Sequence, residues 1–112
     1  MVIYHNPMWG KSRKTLQILQ DEGVEFSVVE YIKKPLNRSQ IKNLLSKLKI
    51  NAQELIRKNN SEYKNASIDF SNSEKCIALL EENPKLLQRP IIEDDENAVI
   101  GRPPENVYKL LK

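Results

Sequence analysis

The sequence predicts an α/β fold, a single four-stranded mixed sheet with helices on both faces. Three observations predict it. A β-branched and aromatic run, Val2-Ile3-Tyr4, passes through an Asn6-Pro7 turn and Gly10 into an amphipathic stretch with Leu16 and Leu19 on one face. A second apolar alternation follows this helical crossover, so the first two strands should be parallel with a right-handed connection. Near the other end, Arg89-Pro90-Ile91-Ile92 and Ala98-Val99-Ile100 flank a tight acidic loop, Glu93 to Asn97. Two short strands joined in this way form a hairpin and are therefore antiparallel.

The elements follow in order. The first helix closes at Asp21-Glu22-Gly23 with the glycine as its C-cap. Val24, Phe26 and Val28 alternate with Glu25 and Ser27 as the second strand. Asn37-x-x-Gln40 is a capping box with Leu36 and Ile41 as its hydrophobic staple, and Ile41, Leu44, Leu45 and Leu48 make a helical stripe. The device repeats at Asn51-x-x-Glu54, between Ile50 and Leu55, and predicts a short third helix carrying Arg57 near its end. Residues 58–70 read as a polar loop with a turn of helix at Tyr63. Ser71-x-x-Glu74 caps a fourth helix with Cys76, Ile77, Leu79 and Leu80 as its apolar positions, and Asn83-Pro84 stops it. After the hairpin, Pro104 suits the first turn of a last helix that buries Val107, Leu110 and Leu111. No repeat or linker divides the chain, so residues 1–112 read as one domain. The thioredoxin-like fold is the commonest solution for this order of elements.

Composition narrows the function. The chain has 112 residues, 39% of them hydrophobic, which is globular rather than disordered. Its 18 basic and 15 acidic residues leave a net charge of +3, too small to imply a nucleic-acid partner. No secretory leader pattern or membrane-length apolar run occurs, so a soluble, cytoplasmic monomer without a membrane partner is expected. A single cysteine, Cys76, excludes a disulfide framework, a thiolate zinc site and an internal two-cysteine redox centre. No metal site and no bound cofactor are expected.

The first turn-and-helix carries the chemistry. It should aim four or five backbone N–H groups, from about Met8 to Arg13, at one small volume. Such a cup attracts an anion and would activate a nucleophile on its rim. Trp9 stands on that rim, and it has no nucleophile. Ser12 would need a base, and His5 is the only histidine; the blander reading has Ser12 capping the turn or hydrogen-bonding whatever fills the cup. His5 reads as a structural group at a strand end, with a place in the wall of an anion pocket as the alternative. Cys76, on an apolar stripe, reads as a small buried hydrophobe. Arg57, Arg89 and Arg102 are ordinary surface arginines taken singly. Two of them precede proline at the ends of the hairpin strands, however, and a proline opening the third strand of such a sheet is often cis. Arg89 would then lie near the cup, with Arg102 reaching it from the next loop.

The chain resembles the glutaredoxin-dependent arsenate reductase family of thioredoxin-like proteins, particularly its small bacterial relatives. Ile3-Tyr4-His5-Asn6-Pro7, Ser12-Arg13-x-Thr15-Leu16, Leu55-Ile56-Arg57-Lys58-Asn59, Arg89-Pro90-Ile91 and Gly101-Arg102-Pro103 match its motifs in order. The resemblance implies that arsenate binds in the cup and is attacked by a cysteine thiolate. It implies further that a histidine, here His5, keeps the thiolate's pKa low, and that glutathione and glutaredoxin complete the reduction. The oxyanion is held by three arginines, here Arg57, Arg89 and Arg102, beside Gly10, Lys11 and Ser12. Trp9 stands where the family has its nucleophile. An indole forms no arsenic–sulfur bond, so the expected protein is redox-inactive and keeps a pocket for arsenate or phosphate. The alternatives are an active reductase whose cysteine is altered in this sequence, and a protein-binding regulator related to the redox-responsive transcription regulators. A small oxyanion is the expected partner, with glutaredoxin or another protein as a further one.

Overall fold

Short runs of β-branched and aromatic residues build a sheet from four three-residue strands, β1 (Val2–Tyr4), β2 (Ser27–Val29), β3 (Ile91–Glu93) and β4 (Ala98–Ile100). Among the described residues the helices are α1 (Gly10–Asp21), α2 (Arg38–Leu48) and α3 (Ser73–Glu82), with 3-10 segments at Ala52–Leu55, Pro84–Leu86 and Pro104–Leu110. The computed structural model describes residues 1–57 and 68–111. The predicted polar loop with its turn at Tyr63 falls mostly outside the described residues. Two compact units form, Met1–Lys34 with Arg89–Lys112, and Pro35–Gln88.

The first unit holds the sheet, in the order β2-β1-β3-β4. As expected, β1 and β2 are parallel, while β3 pairs antiparallel with both β1 and β4. This is an α/β arrangement of the thioredoxin-like kind. Ile3, Leu19, Ile92 and Val107 form its fully buried core, with Leu16, Phe26, Val99 and Leu110 packed against it. Successive side chains of a strand point to opposite faces. All of Ile91, Ile92 and Glu93 are buried, so both faces of β3 are covered. On the face away from Ile3 and Ile92, the Tyr4 hydroxyl donates to the Glu93 carboxylate. Burial, reinforced by that carboxylate, pushes the Tyr4 phenol well above its ordinary value. Gly23 ends α1 at φ 67°, a left-handed conformation that glycine adopts without steric cost.

Two details of this unit differ from expectation. Val24 and Phe26 do pack on the core, but Val28 is exposed. Pairing begins only at Ser27, so the alternation is not carried into this edge strand. The last helix is wound as a 3-10 helix rather than an α-helix, yet it still buries Val107 and starts with Pro104 in its first turn.

In the second unit, both halves of the α2 capping box are made. The Asn37 side chain accepts from the Gln40 N–H, and the Gln40 side chain accepts from the Asn37 N–H, each at 2.9 Å. Leu36, Ile41 and Leu44 are buried. The predicted third helix is a 3-10 turn of four residues, Ala52–Leu55, begun by Asn51 as expected. It stops because Ile56 bridges to Leu87, and the Arg57 N–H donates to the Leu86 carbonyl at 2.7 Å. Arg57 therefore lies beyond the turn, in extended chain. The cap of α3 is Asn72, which accepts from the Lys75 N–H, rather than Ser71. Ser71 is held instead by Asp69, which accepts from both its N–H and its hydroxyl. Cys76, Ile77 and Leu80 are the buried residues of α3, as the stripe predicts. No helix among the described residues is long and apolar enough to cross a membrane.

Candidate functional site

Strand register gathers three loops at one end of the sheet. Tyr4 pairs with Ile91, which pairs with Ile100, so His5, Pro90 and Gly101 continue from neighbouring positions. The Gly101 N–H donates to the Pro90 carbonyl at 2.8 Å. A Cβ at Gly101 would lie 2.8 Å from Pro90 Cγ and 2.9 Å from Thr15 Oγ1, so only glycine lets β4 come this close to α1. The Arg89–Pro90 peptide bond is cis, as the sequence suggests, and Arg102–Pro103 is cis as well. Arg89 and Arg102 thus flank a paired Pro90 and Gly101 at the end of the sheet where α1 begins.

The turn between β1 and α1 is knitted by Asn6 and Ser12. The Asn6 side chain accepts from the Met8 N–H and its carbonyl from the Trp9 N–H, each at 3.1 Å. Ser12, fully buried, accepts from the Asn6 N–H at 3.1 Å and sits 2.7 Å from His5 Nδ1. The arrangement satisfying all three groups has the Ser12 hydroxyl donating to Nδ1 and the histidine proton on Nε2. Burial pushes His5 below its ordinary pKa; the Glu30 carboxylate opposes this and the Arg13 guanidinium adds to it. His5 is therefore a neutral acceptor at pH 7. It does stand beside Ser12 as a base would, but the buried hydroxyl is out of a substrate's reach. The structural reading of Ser12 is the better one, with the turn of β1 rather than the helix start as the element it holds.

The cup of N–H groups is smaller than expected. Met8 and Trp9 bond to Asn6, and the Arg13 N–H bonds to the Trp9 carbonyl at 3.1 Å. Gly10, Lys11 and Ser12 remain as the first-turn donors of α1. Trp9 is the N-cap residue, in extended conformation, and its side chain supplies no capping bond. Its indole stacks on Arg89 instead, with the guanidinium carbon 3.6 Å from the ring centroid. Arg89 is only 6% exposed, while Trp9 is 47% exposed and the neighbouring Met8 83%.

The Arg102 side chain is exposed. Arg57, in the second unit, donates from Nη1 to the Lys85 carbonyl at 3.1 Å. The Lys11 side chain lies outside what the structure describes. Cys76, the protein's only cysteine, sits in α3, away in sequence from the first turn. It is buried, its thiol donates to the Phe70 carbonyl at 3.4 Å, and burial with the nearby Asp69 charge raises its pKa. Among the described residues, no group of His, Cys, Asp and Glu is arranged to hold a metal ion. Sequence reasoning overlooked Asn6 and Arg13 as site residues. Arg13 donates to the Pro7 carbonyl at 3.3 Å and lies one helical turn beyond Trp9, a spacing that signals a shared helix face.

The chain matches known proteins over nearly its whole length. Residues 4–110 match the ArsC family. The chain is 43% identical to the uncharacterized protein YfgD of Escherichia coli K12, over 97% of this chain and 94% of that one. It is 33% identical to an arsenate reductase of Neisseria meningitidis serogroup B, over 97% and 96% of the two chains. A solved arsenate reductase from Vibrio cholerae superposes with a TM-score of 0.89 at 34% identity, covering 96% of this chain and 94% of its own.

Proposed function

The chain belongs to the ArsC family, and from that premise we propose that it is a member without redox turnover that binds a tetrahedral oxyanion, arsenate or phosphate, at the start of α1. The observation that carries this reading is Trp9 at the N-cap of α1, stacked on a buried arginine where the resemblance puts the nucleophile. Covalent reduction needs a group that donates a lone pair to arsenic and later leaves. Trp9 offers none, and Cys76 is buried in another element. Anion binding needs only donors: the N–H groups of Gly10, Lys11 and Ser12, and guanidinium groups, whose planar fork suits phosphate-like oxygens. Arg89 and Arg102 start from the same end of the sheet as α1. Arg57 and Lys11 are assigned on the resemblance alone. His5, held neutral, serves to keep Ser12 and the turn in place. We place the protein in the cytoplasm as a monomer.

The test is coupled NADPH oxidation with glutathione reductase, glutathione, glutaredoxin and arsenate. The natural sequence should show no arsenate-dependent turnover, and the Trp9→Cys variant should gain it. The thiol there would be expected in the roughly 3.5–7.5 pKa range of cysteines at cationic helix starts. Turnover by the protein with Trp9 would overturn this reading in favour of an active reductase. A folded but silent Trp9→Cys variant would favour the regulator reading, for which the exposed Met8 and Trp9 are the natural contact.

A further inference from the structure

We infer that Trp9 is a positioning residue for the oxyanion site, its indole fixing the plane of the Arg89 guanidinium before the anion arrives; this rests on the oxyanion reading above. A guanidinium carries five N–H donors, all in one plane. The indole lies against the face of that plane, with the guanidinium carbon 3.6 Å from the ring centroid. A ring on the face covers none of the in-plane donors, so stacking and anion binding use different parts of one group. The ring also belongs to the N-cap residue of α1. It therefore ties an arginine from the start of β3 to the place where Gly10, Lys11 and Ser12 begin the helix.

The pair is anchored on both sides. The Trp9 N–H donates to the Asn6 carbonyl and the Trp9 carbonyl accepts from the Arg13 N–H, each at 3.1 Å. Arg89 is buried and precedes Pro90, whose carbonyl accepts from the Gly101 N–H at 2.8 Å. Trp9 and Arg89 each make further interactions besides the stack, as a fixed pair requires. An unsupported arginine gives up rotamer freedom when it meets an anion. A stacked one has already given it up, and the difference appears as affinity. An indole, unlike a carboxylate, gives this support without neutralising the guanidinium charge. On this account position 9 helps to hold the anion rather than to attack it.

The experiment titrates inorganic phosphate by calorimetry into the natural protein, Trp9→Phe, Trp9→Leu and Trp9→Ala, each checked for fold by circular dichroism. Phenylalanine keeps an aromatic face, leucine keeps apolar bulk without one, and alanine keeps neither. A cation–π contact of this kind corresponds to a factor of about 2 to about 30 in an equilibrium constant. Trp9→Ala and Trp9→Leu should therefore bind phosphate more weakly by about 2-fold to about 30-fold. Trp9→Phe should recover part of that loss, since phenylalanine holds a cation less strongly than tryptophan. Recovery by the aromatic variant alone is what a merely structural role for Trp9 would not produce. Binding by folded Trp9→Ala as tight as that of the natural protein, or tighter, would overturn the positioning role while leaving the oxyanion site standing. Full affinity in folded Trp9→Leu would do the same, because bulk alone would then suffice. Absence of phosphate binding in all four proteins would overturn the oxyanion site, and the positioning role with it.

Discussion

Two helices of this protein begin in opposite ways. At α2, Asn37 and Gln40 exchange side-chain and backbone hydrogen bonds, and the Arg38 N–H of the first turn donates to the Glu81 carboxylate. At α1, the N-cap is a tryptophan whose side chain caps nothing and turns to an arginine. The chain near α2 spends no buried polar residue on its start, whereas around α1 His5, Asn6, Ser12, Thr15 and Arg89 are all buried. The α2 start closes its donors with side chains, whereas the α1 start has no side-chain cap and a cluster of buried polar residues behind it.

Breaking the support behind α1 should have the largest effect. Ser12→Ala removes the partner of both His5 Nδ1 and the Asn6 N–H. Leaving a buried polar group unsatisfied costs about 1–3 kcal/mol, and two are exposed to that loss here. Urea unfolding of the variant should show it, whereas a loss near zero would mean that the turn does not depend on Ser12. Asn37→Ala should be milder, about 1 kcal/mol, and should leave phosphate binding unchanged, because the α2 cap serves the helix alone. Parallel unfolding and titration of that variant would check both halves.

Acidity offers a finer probe of the same contrast. The folded protein holds His5 below its ordinary value of about 6.5, so between those two values the unfolded chain binds more protons. Stability is then fully present above about pH 6.5 and is lost as the pH falls through the lowered folded value. Unfolding midpoints taken from about pH 7.5 to about pH 5.5 should fall, and fall less in His5→Gln. An identical slope in the variant would sever His5 from this dependence. The smallest expected effect is at Cys76, where burial disfavours the thiolate. A thiol reagent should label it only as fast as the protein unfolds.

The contrast also marks what could be read from the sequence. The α2 capping box was legible because both partners lie within four residues and the bonds are local. The hairpin, the parallel first pair and the cis Arg89–Pro90 bond followed from element order and punctuation. Asn72 and Ser71 were not separable, since both residue types cap helices and only the Asp69 contact decides between them. The 3-10 winding of Ala52–Leu55 and Pro104–Leu110 was hidden because apolar spacing in so short a segment suits either helix. At the site, the roles of Asn6 and Ser12 depend on a turn that brings them together, and the Trp9–Arg89 stack joins residues from opposite ends of the chain. Nothing in local propensity encodes such a contact.

The proposed oxyanion site at the start of α1 is tested most directly by one titration. Phosphate is added to the natural protein and to Trp9→Asp by calorimetry. Aspartate at an N-cap position supplies the missing side-chain cap, and its negative charge sits on the donors of Gly10, Lys11 and Ser12 and beside Arg89. The natural protein should give a saturable heat of binding, and the folded variant should give none. A natural protein that shows no binding, or a Trp9→Asp variant that binds phosphate equally well, would contradict the claim.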